Sequence, residues 1–303
     1  MKYCFAIDIG GTTVKMGIFE ERGTLLSKWQ INTRTENQGE AILPDIAKSI
    51  LEKQREYDIT TDDILGIGVG VPGAVCEGGI VENTTNLGWG YKEVKRELQE
   101  LTGYSVCVEN DANLAALGEF AKGAGEGYRD IVMVTLGTGV GGGIIIDGHI
   151  VSGVKGGAGE IGEICVDYEK KADGTCVPRN LEYYASATGI KRIAKKKITG
   201  NTKRTVLDID NISAKEVFDA AKTGDVVAIE VLDSFGSYLG QSLTNLAVTL
   251  APEAFVIGGG VSRAGEILLE YVQKYYNASN TKLMLATLEN DAGIYGACKL
   301  ILG

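Results

Sequence analysis

Histidine, proline and tryptophan are scarce in this chain of 303 residues, which contains one His, four Pro and two Trp. Structural zinc in proteins is held mainly by Cys and His residues in tight spacing. The single His149 and six widely scattered cysteines therefore predict neither a zinc site nor a disulfide framework. Several of the cysteines lie in apolar runs, as buried thiols do.

Positive charge is also in short supply, because 30 Lys and Arg face 40 Asp and Glu, for a net charge of −10. This balance argues against nucleic acid or an anionic membrane surface as a partner. No segment approaches the roughly 18 consecutive apolar residues that indicate a membrane-spanning helix. A strand begins at about Phe5, so we expect no signal peptide and a cytoplasmic protein.

Glycine is abundant instead, with 42 residues that gather in clusters. The main cluster ends the stretch from Ile131 to Gly143, which reads IVMVTLGTGVGGG. A short apolar run bounded by glycines is typical of a buried central strand. The glycines let the backbone turn and approach a ligand, and successive N–H groups in such a turn can bind phosphate.

The chain contains a second copy of this pattern near its beginning. Residues 5–12 read FAIDIGGT and residues 132–139 read VMVTLGTG, so that Asp8 aligns with Thr135 and Gly10 with Gly137. Each copy predicts a strand, a glycine turn and a second strand. Two related halves, each with a phosphate-binding hairpin, indicate a nucleotide bound in a cleft between two domains.

Hydrophobic periodicity predicts strands alternating with helices, which is an α/β pattern that begins with an antiparallel meander. We expect strands at 3–9, 12–19, 25–31, 64–71, 106–109, 131–135, 141–150, 254–260 and 283–286. We expect helices at 38–56, 91–101, 110–121, 181–197, 213–221, 225–250, 264–276 and 292–302, and irregular structure at 83–90 and 152–162.

Eight short motifs together carry a family resemblance. They are DIGGT at 8–12, VPG at 71–73, NLGW at 86–89, ENDAN at 109–113, TLGTGVGGG at 135–143, AGEIG at 158–162, IGGG at 257–260 and NDAGIYGA at 290–297. In this order they resemble the ROK family of sugar kinases over nearly the whole chain, and most of all its bacterial ATP-dependent glucokinases. Any one motif alone is weak evidence, because glycine turns are common.

The resemblance implies a two-domain α/β protein with the actin-like ATPase (ribonuclease H-like) fold and an active site in the interdomain cleft. We expect residues 1–112 plus 291–303 to form the N-terminal domain and residues 113–290 the C-terminal domain. The family also implies a homodimer.

Asp111 is the candidate catalytic residue. It begins a predicted helix, so it is either an ordinary cap or a carboxylate held in fixed geometry. The resemblance favours a base that takes the proton from the 6-hydroxyl of a hexose, with glucose as the expected sugar and ATP as the phosphoryl donor. Phosphoryl transfer requires mainly positioning, charge neutralisation and one such group.

Asp8 lies near the end of a predicted strand beside a glycine turn, where a carboxylate is placed to hold Mg²⁺ directly or through water. The chain lacks the GxxxxGK[ST] loop of another nucleotide-binding class. The predicted ATP- and Mg²⁺-binding residues are Asp8, Gly10, Gly11, Thr12, Thr13, Lys15, Thr135, Gly137, Thr138, Gly139, Gly258, Gly259 and Gly260.

The residues that the resemblance assigns to the sugar are Gly73, Asn86, Asn110, Asp111, Glu160, Glu163 and Glu182. Family members have a His at the position of Glu163, and it binds structural zinc with three cysteines. This chain has no such cluster, so we expect no zinc, and the segment 152–180 must be held by packing or by contacts of Glu163. Clustered carboxylates raise one another's pKa and disfavour anionic sugars.

Three alternatives stay open at this stage. The first is a kinase for another neutral sugar, such as N-acetylmannosamine, a β-glucoside, allose or fructose. The second is a sugar-responsive transcription regulator, which the acidic charge and the position of Asp8 near the first residue disfavour. The third is a catalytically weak sugar-binding protein.

Overall fold

The computed structural model describes residues 1–84, 86–200 and 203–303. Its strands are β1 (Tyr3–Ile9), β2 (Thr13–Glu20), β3 (Leu25–Asn32), β4 (Ile64–Val71), β5 (Val75–Cys76), β6 (Ile80–Thr84), β7 (Trp89–Glu93), β8 (Val106–Asn110), β9 (Ile131–Leu136), β10 (Val140–Ile146), β11 (His149–Ile150), β12 (Cys165–Lys170), β13 (Cys176–Asn180), β14 (Ala254–Gly258) and β15 (Lys282–Leu285).

The helices are α1 (Glu36–Gly39), α2 (Ile42–Glu56), α3 (Val94–Thr102), α4 (Asp111–Lys122), α5 (Leu181–Ala185), α6 (Ala187–Thr199), α7 (Ala214–Lys222), α8 (Val226–Leu250), α9 (Glu266–Gln273) and α10 (Ala292–Leu302). Within the described ranges, no helix combines the length and the apolar character that crossing a membrane requires.

The two large sheets repeat one topology. Their strand orders are β3-β2-β1-β4-β8 and β11-β10-β9-β14-β15. In the first sheet β1 is antiparallel to β2 and parallel to β4, and in the second β9 is antiparallel to β10 and parallel to β14. Asp8 pairs with Lys15 and Thr135 with Gly141 at equivalent positions. The duplication predicted from the two glycine hairpins is therefore confirmed.

Helices α4 and α10 pack against each other between the two sheets. Their contact is close because each helix has a glycine, without a side chain, at the contact. A Cβ on Gly118 would lie 2.1 Å from the Ala292 carbonyl oxygen, and a Cβ on Gly296 would lie 1.8 Å from the Leu114 carbonyl oxygen. The buried side chains around this contact form a core of their own, which joins β1 and β9 to both helices. This packing fixes the start of α4, where Asp111 lies.

Several predicted boundaries differ from the structure for local reasons. The predicted helix 38–56 begins only at Ile42, because Asn37 and Gln38 adopt positive φ angles of 50° and 59°. The predicted loop 83–90 ends in strand β7, which shortens the following helix to Val94–Thr102. The predicted helix 181–197 is broken at Ser186, whose extended backbone and side chain cap α6.

Candidate active site

The start of α4 is held by its cap residue. The Asn110 side-chain oxygen accepts hydrogen bonds from the N–H groups of Ala112 (2.9 Å) and Asn113 (3.1 Å). The Asn110 amide nitrogen donates to the Gly73 carbonyl at 3.0 Å. The two bonds to the Asn110 oxygen satisfy donors of the first helical turn that lack a partner within the helix, and the contacts fix the backbone at Asp111. Asn110, predicted to bind sugar, thus also holds the catalytic candidate in place.

Asp111 has a perturbed acidity. Its pKa is raised to about 6, first by burial, then by the negative charge of Asp8 and to a smaller extent by Glu160. A hydrogen bond from the Ala112 N–H lowers the pKa and limits the shift. A carboxyl group with a pKa near 6 is ionised at neutral pH, yet it accepts a proton more readily than an ordinary aspartate.

A cleft of about 440 Å³ opens in front of Asp111. The predicted residues that line it are Asp8, Lys15, Asp111, Thr135, Gly137, Gly139, Glu182 and Gly259. Its wall also includes Glu289, Asn290, Ala292 and Gly293, to which we assigned no role from the sequence. Residues from both halves of the chain therefore meet at one site.

Asp8 and Lys15 form an ion pair across the β1–β2 hairpin, with 3.1 Å between the Lys15 Nζ and Asp8 Oδ2. A Cβ on Gly293 would lie 2.7 Å from Asp8 Cγ, so the carboxylate rests against the bare backbone of α10. Magnesium in proteins is often bound through one or two carboxylates and the phosphates of a substrate. The carboxylate of Asp8 fits this donor set.

The second glycine turn lies beside the same cleft. The Gly137 N–H donates to the Gly139 carbonyl at 2.9 Å, and Glu182 Oε2 accepts from the Val140 N–H at 3.0 Å. A Cβ on Gly139 would lie 2.3 Å from Glu182 Oε2. Only glycine therefore permits the Glu182 carboxylate to approach this turn.

The first glycine turn is tied to neighbouring loops. The Gly10 N–H donates to the Thr13 carbonyl at 3.0 Å, and the Thr33 hydroxyl donates to the Gly10 carbonyl at 2.6 Å. Gly11 lies against Asn86, where an added Cβ would be 3.3 Å from Asn86 Cβ. In this structure the lining of the cleft includes Lys15 from this hairpin, whereas Gly10, Gly11, Thr12 and Thr13 lie outside it.

A second cavity of about 650 Å³ adjoins the cleft at Gly137. Its lining includes the predicted residues Thr138 and Gly260 and the aromatic ring of Phe218. Its lining also contains Ser213, the cap of α7, and Lys215, Asp219, Lys222 and Arg263. Sequence reasoning assigned these residues no role in binding, because they lie at or on α7 and after β14, outside any motif. Gly258 lies in the β14 core, where a Cβ would be 2.5 Å from Met133 Cε.

Of the predicted sugar-binding residues, Asp111 and Glu182 line the cleft, whereas Gly73, Asn86, Asn110, Glu160 and Glu163 are not part of its lining. Gly73 adopts a left-handed φ of 97° and lies next to Thr84, a Cβ on it being 3.5 Å from Thr84 Cγ2. Glu160 and Glu163 are exposed, and Glu160 is close enough to Asp111 to raise the pKa of that residue. Glu163 accepts a hydrogen bond from Asn180 Nδ2 at 3.0 Å.

Similarity to known proteins identifies the family of this chain. The sequence profile of the ROK family matches residues 4–303. The chain belongs to the ROK family. It is 41% identical to a glucokinase of Halalkalibacterium halodurans, over 99% of this chain and 95% of that protein. A glucokinase of Thermotoga maritima is 35% identical, with 97% of this chain and 96% of that protein covered.

The structure of this ROK protein is similar to that of a ROK family glucokinase from Streptomyces griseus, solved in complex with glucose and AMPPNP. The TM-score is 0.76 and the identity 31%, with 98% of both chains covered. The predicted fold class, a two-domain α/β protein of the actin-like ATPase type, is thereby confirmed.

In this ROK protein the segment before α5 forms a hairpin, β12–β13, that we did not predict. Asp167 on β12 accepts hydrogen bonds from the hydroxyls of Tyr184 (2.7 Å) and Tyr238 (2.9 Å), which lower the pKa of Asp167. The two tyrosine rings stack with 3.7 Å between centroids. The bonds of Asp167 thus hold the hairpin against α5 and α8, and the contact of Glu163 with Asn180 ties its end to the preceding residues.

No group of three or more His, Cys, Asp or Glu that could hold a metal ion occurs in the described part of the chain. Cys165 and Cys176 lie on the β12–β13 hairpin, where Cys165 pairs with Asn180 and Cys176 with Lys170. The two cysteines are therefore at opposite ends of the hairpin.

Proposed function

We propose that this ROK protein catalyses ATP-dependent phosphorylation of the 6-hydroxyl of a hexose, with glucose as the sugar. The full-length similarity to glucokinases supports this activity. The observation that carries the proposal is the position of Asp111, a carboxyl group with a pKa of about 6 that faces a cleft also lined by glycine-turn residues.

In the proposed reaction, Asp111 accepts the proton of the 6-hydroxyl as that oxygen attacks the γ-phosphorus of ATP. The bond between the γ-phosphorus and the β,γ-bridging oxygen breaks, and ADP leaves. Asp111 then carries the proton until it is released to solvent. The cap contacts of Asn110 hold the base, so no reorientation of the helix is required during the transfer.

We further propose that the nucleotide spans the two adjoining cavities. The cavity of about 650 Å³ would hold the nucleoside against Phe218 and Gly260. The phosphates would pass Gly137 and reach the cleft that Asp111 and Asp8 line. Mg²⁺ would be held by Asp8 and would neutralise the phosphates, while Lys15 lies close enough to Asp8 to provide a further positive charge.

For the sugar we propose contacts with Glu160, Glu163, Asn110 and Asp111. A carboxylate oxygen accepts hydrogen bonds from neighbouring hydroxyls, which suits a neutral polyol. Glu182 accepts a hydrogen bond from the Val140 N–H at the second glycine turn. We therefore propose that its contact with the sugar lies close to the glycine turn that binds the phosphates. An anionic sugar would be repelled by these carboxylates.

We also propose domains at 1–112 plus 291–303 and at 113–290, which would close over the substrates. The cleft lies between residues of the two proposed domains, such as Asp8 and Gly137. The homodimer and the cytoplasmic location stay predictions. Light scattering of the purified protein tests the first, since a dimer has twice the chain mass of 32.2 kDa.

The test is ADP release from ATP and Mg²⁺ with a panel of neutral hexoses and amino sugars. We expect the highest kcat/KM with glucose. The variant Asp111→Asn should lose about 10²- to 10⁴-fold in kcat, which is the usual contribution of a general base. Asp62→Asn, at an exposed aspartate on a turn before β4, is the matched control.

If turnover is highest with another sugar, that sugar replaces glucose as the proposed substrate and the proposed mechanism is unchanged. A folded protein that binds ATP and turns over none of the sugars would refute the kinase proposal.

A further inference from the structure

Glu119 is a completely buried carboxylate that the proposed reaction does not use. It lies on α4, eight residues after Asp111, and its exposed fraction is 0%. Burying a carboxylate is costly unless hydrogen bonds replace its water. The contacts that it makes in return therefore indicate what it does.

All the hydrogen-bond donors to this carboxylate are neutral. The N–H groups of Thr287 and Leu288 donate to Glu119 Oε1 at 3.0 Å and 2.7 Å. The Ala124 N–H (2.8 Å) and the Thr287 hydroxyl (3.3 Å) donate to Oε2. An ionised carboxylate suits this arrangement because both of its oxygens accept. Glu119 thus ties α4 to the segment that leads from β15 into α10.

The residues that follow this tie form part of the cleft. Glu289 and Asn290 line it beside Asp8 and Gly259. Glu289 has a left-handed φ of 48°, a conformation that is unfavourable for a residue other than glycine and persists only where the surroundings impose it. Glu119 restrains the residue immediately before it.

The far end of the segment is also held. Asp291 accepts a hydrogen bond from Lys28 Nζ on β3 at 2.6 Å. Glu289 and Asn290 therefore lie between two residues that are held in place, Leu288 by Glu119 on α4 and Asp291 by Lys28 on β3. Because α4 is a continuous helix, Glu119 stays about 12 Å along the helix axis from Asp111, and the bonds of Glu119 link the segment before Glu289 to the same helix.

We infer that Glu119 is a positioning residue for the nucleotide: through Thr287 and Leu288 it holds the Glu289–Asn290 wall in register with Asp111. The inference rests on the proposed kinase function and extends it. The wall lines the same cleft as Asp8 and Gly259, which we propose to bind Mg²⁺ and ATP, so we expect its displacement to affect ATP rather than the sugar.

The experiment compares Glu119→Gln with the wild-type protein in steady-state kinetics. The glutamine amide has the same shape, but its nitrogen cannot accept the bonds that one carboxylate oxygen now receives. We expect kcat/KM for ATP to fall by about 10- to 100-fold, as small misplacements near a reacting group do. KM for glucose should stay within about twofold, because the sugar contacts are untouched.

Two further variants sharpen the test. Glu126→Gln changes an exposed glutamate just after α4, which forms a long ion pair with Lys122 (3.8 Å), and should behave as wild type. Thr287→Val keeps the shape of the side chain and removes its hydroxyl bond to Glu119, so it should move kcat/KM for ATP by about threefold in the same direction.

Amide hydrogen exchange at Thr287 and Leu288 provides a readout that does not depend on turnover. Both amides should exchange faster in Glu119→Gln than in wild type, and unchanged exchange would overturn the inference. Wild-type kinetics in a folded Glu119→Gln would also overturn the inference. If Glu119→Gln does not fold, wild-type kinetics in Thr287→Val would overturn it instead.

Failure of the proposed function gives a different result. If the wild-type protein shows no kinase activity, the proposed function fails. Weaker ATP binding by Glu119→Gln in calorimetry would then still support the positioning role.

Discussion

At the scale of single residues, Asp111 has an unusual acidity, from which we predict how activity and stability depend on pH. Burial and the charge of Asp8 raise the pKa of Asp111, and a hydrogen bond from Ala112 lowers it. The residue thus combines an ordinary position in the first turn of a helix with an unusual proton affinity. The sequence pattern indicates the position, whereas the proton affinity depends on neighbours that are distant in the chain.

The first prediction concerns the pH profile of the reaction. Asp111 acts as a base only when ionised, and its pKa is about 6. We therefore expect kcat/KM for glucose to be constant above about pH 7 and to fall about tenfold per pH unit well below pH 6. Initial rates between pH 4.5 and 8, at constant ionic strength, measure this profile. A flat profile down to pH 5 would exclude Asp111 as the base.

The second prediction concerns stability. The folded-state pKa of Asp111 lies above its ordinary value of 3.8, so the folded protein binds this proton more tightly than the unfolded chain does. Ionised Asp111 therefore destabilises the folded state above about pH 6, and this penalty disappears as the pH falls towards 4. Asp111→Asn should raise the free energy of unfolding at pH 7.5 by about 1–3 kcal/mol.

Urea denaturation at pH 7.5 measures this difference, with the exposed Asp62→Asn as the control that should change little. A loss of stability in Asp111→Asn would show that the hydrogen bond with Ala112 outweighs burial.

At the scale of elements, the contact between α4 and α10 is the tightest constraint near the site. A Cβ on Gly296 would lie 1.8 Å from the Leu114 carbonyl oxygen, closer than any real contact. The close approach brings the start of α10, with Gly293, up to Asp8. The α4–α10 pair therefore supports both Asp111, at the start of α4, and Asp8, which rests against the start of α10.

The third prediction tests this contact with Gly296→Ala. The added methyl group forces α10 away from α4, so we expect a loss of about 1–3 kcal/mol in the free energy of unfolding. Activity should fall with it, because the Asp8 and Asp111 sides of the cleft move apart. Gly90→Ala, where an added Cβ meets nothing within 4 Å, is the matched control. Wild-type stability and activity in Gly296→Ala would contradict the constraint.

At the scale of the whole molecule, residues of both proposed domains line one cleft. Excluding water during phosphoryl transfer requires that such a cleft close, since water competes with the sugar hydroxyl as a nucleophile.

The fourth prediction is that glucose and a non-hydrolysable ATP analogue together reduce the radius of gyration in small-angle X-ray scattering. Glucuronate with the same analogue should not, because the carboxylates of Asp111 and Glu160 repel its negative charge. An unchanged radius of gyration with glucose would contradict domain closure.

Much of this architecture is determined by short stretches of sequence. The strand–glycine–strand pattern specifies both hairpins, and Asn110, Ser213 and Asp225 begin helices at their expected places. These features depend on backbone preferences and hydrogen bonds within a few residues, which is why pattern alone identifies them. The candidate residues Asp8, Asp111 and Gly137 meet in one cleft because each lies at the end of a strand or directly follows one in two similar sheets, and Lys15 joins them because it pairs with Asp8 near the start of β2.

Only the tertiary structure decides which distant residues complete the site. Glu119 meets Thr287 across 168 positions of sequence, and Asp167 meets Tyr238 across 71. The cavity that holds Phe218 and Arg263 likewise joins elements that share no motif. Such contacts arise from the packing of helices between sheets, and burial then sets proton affinities such as that of Asp111. Because packing is a property of the whole chain, no local pattern carries this information.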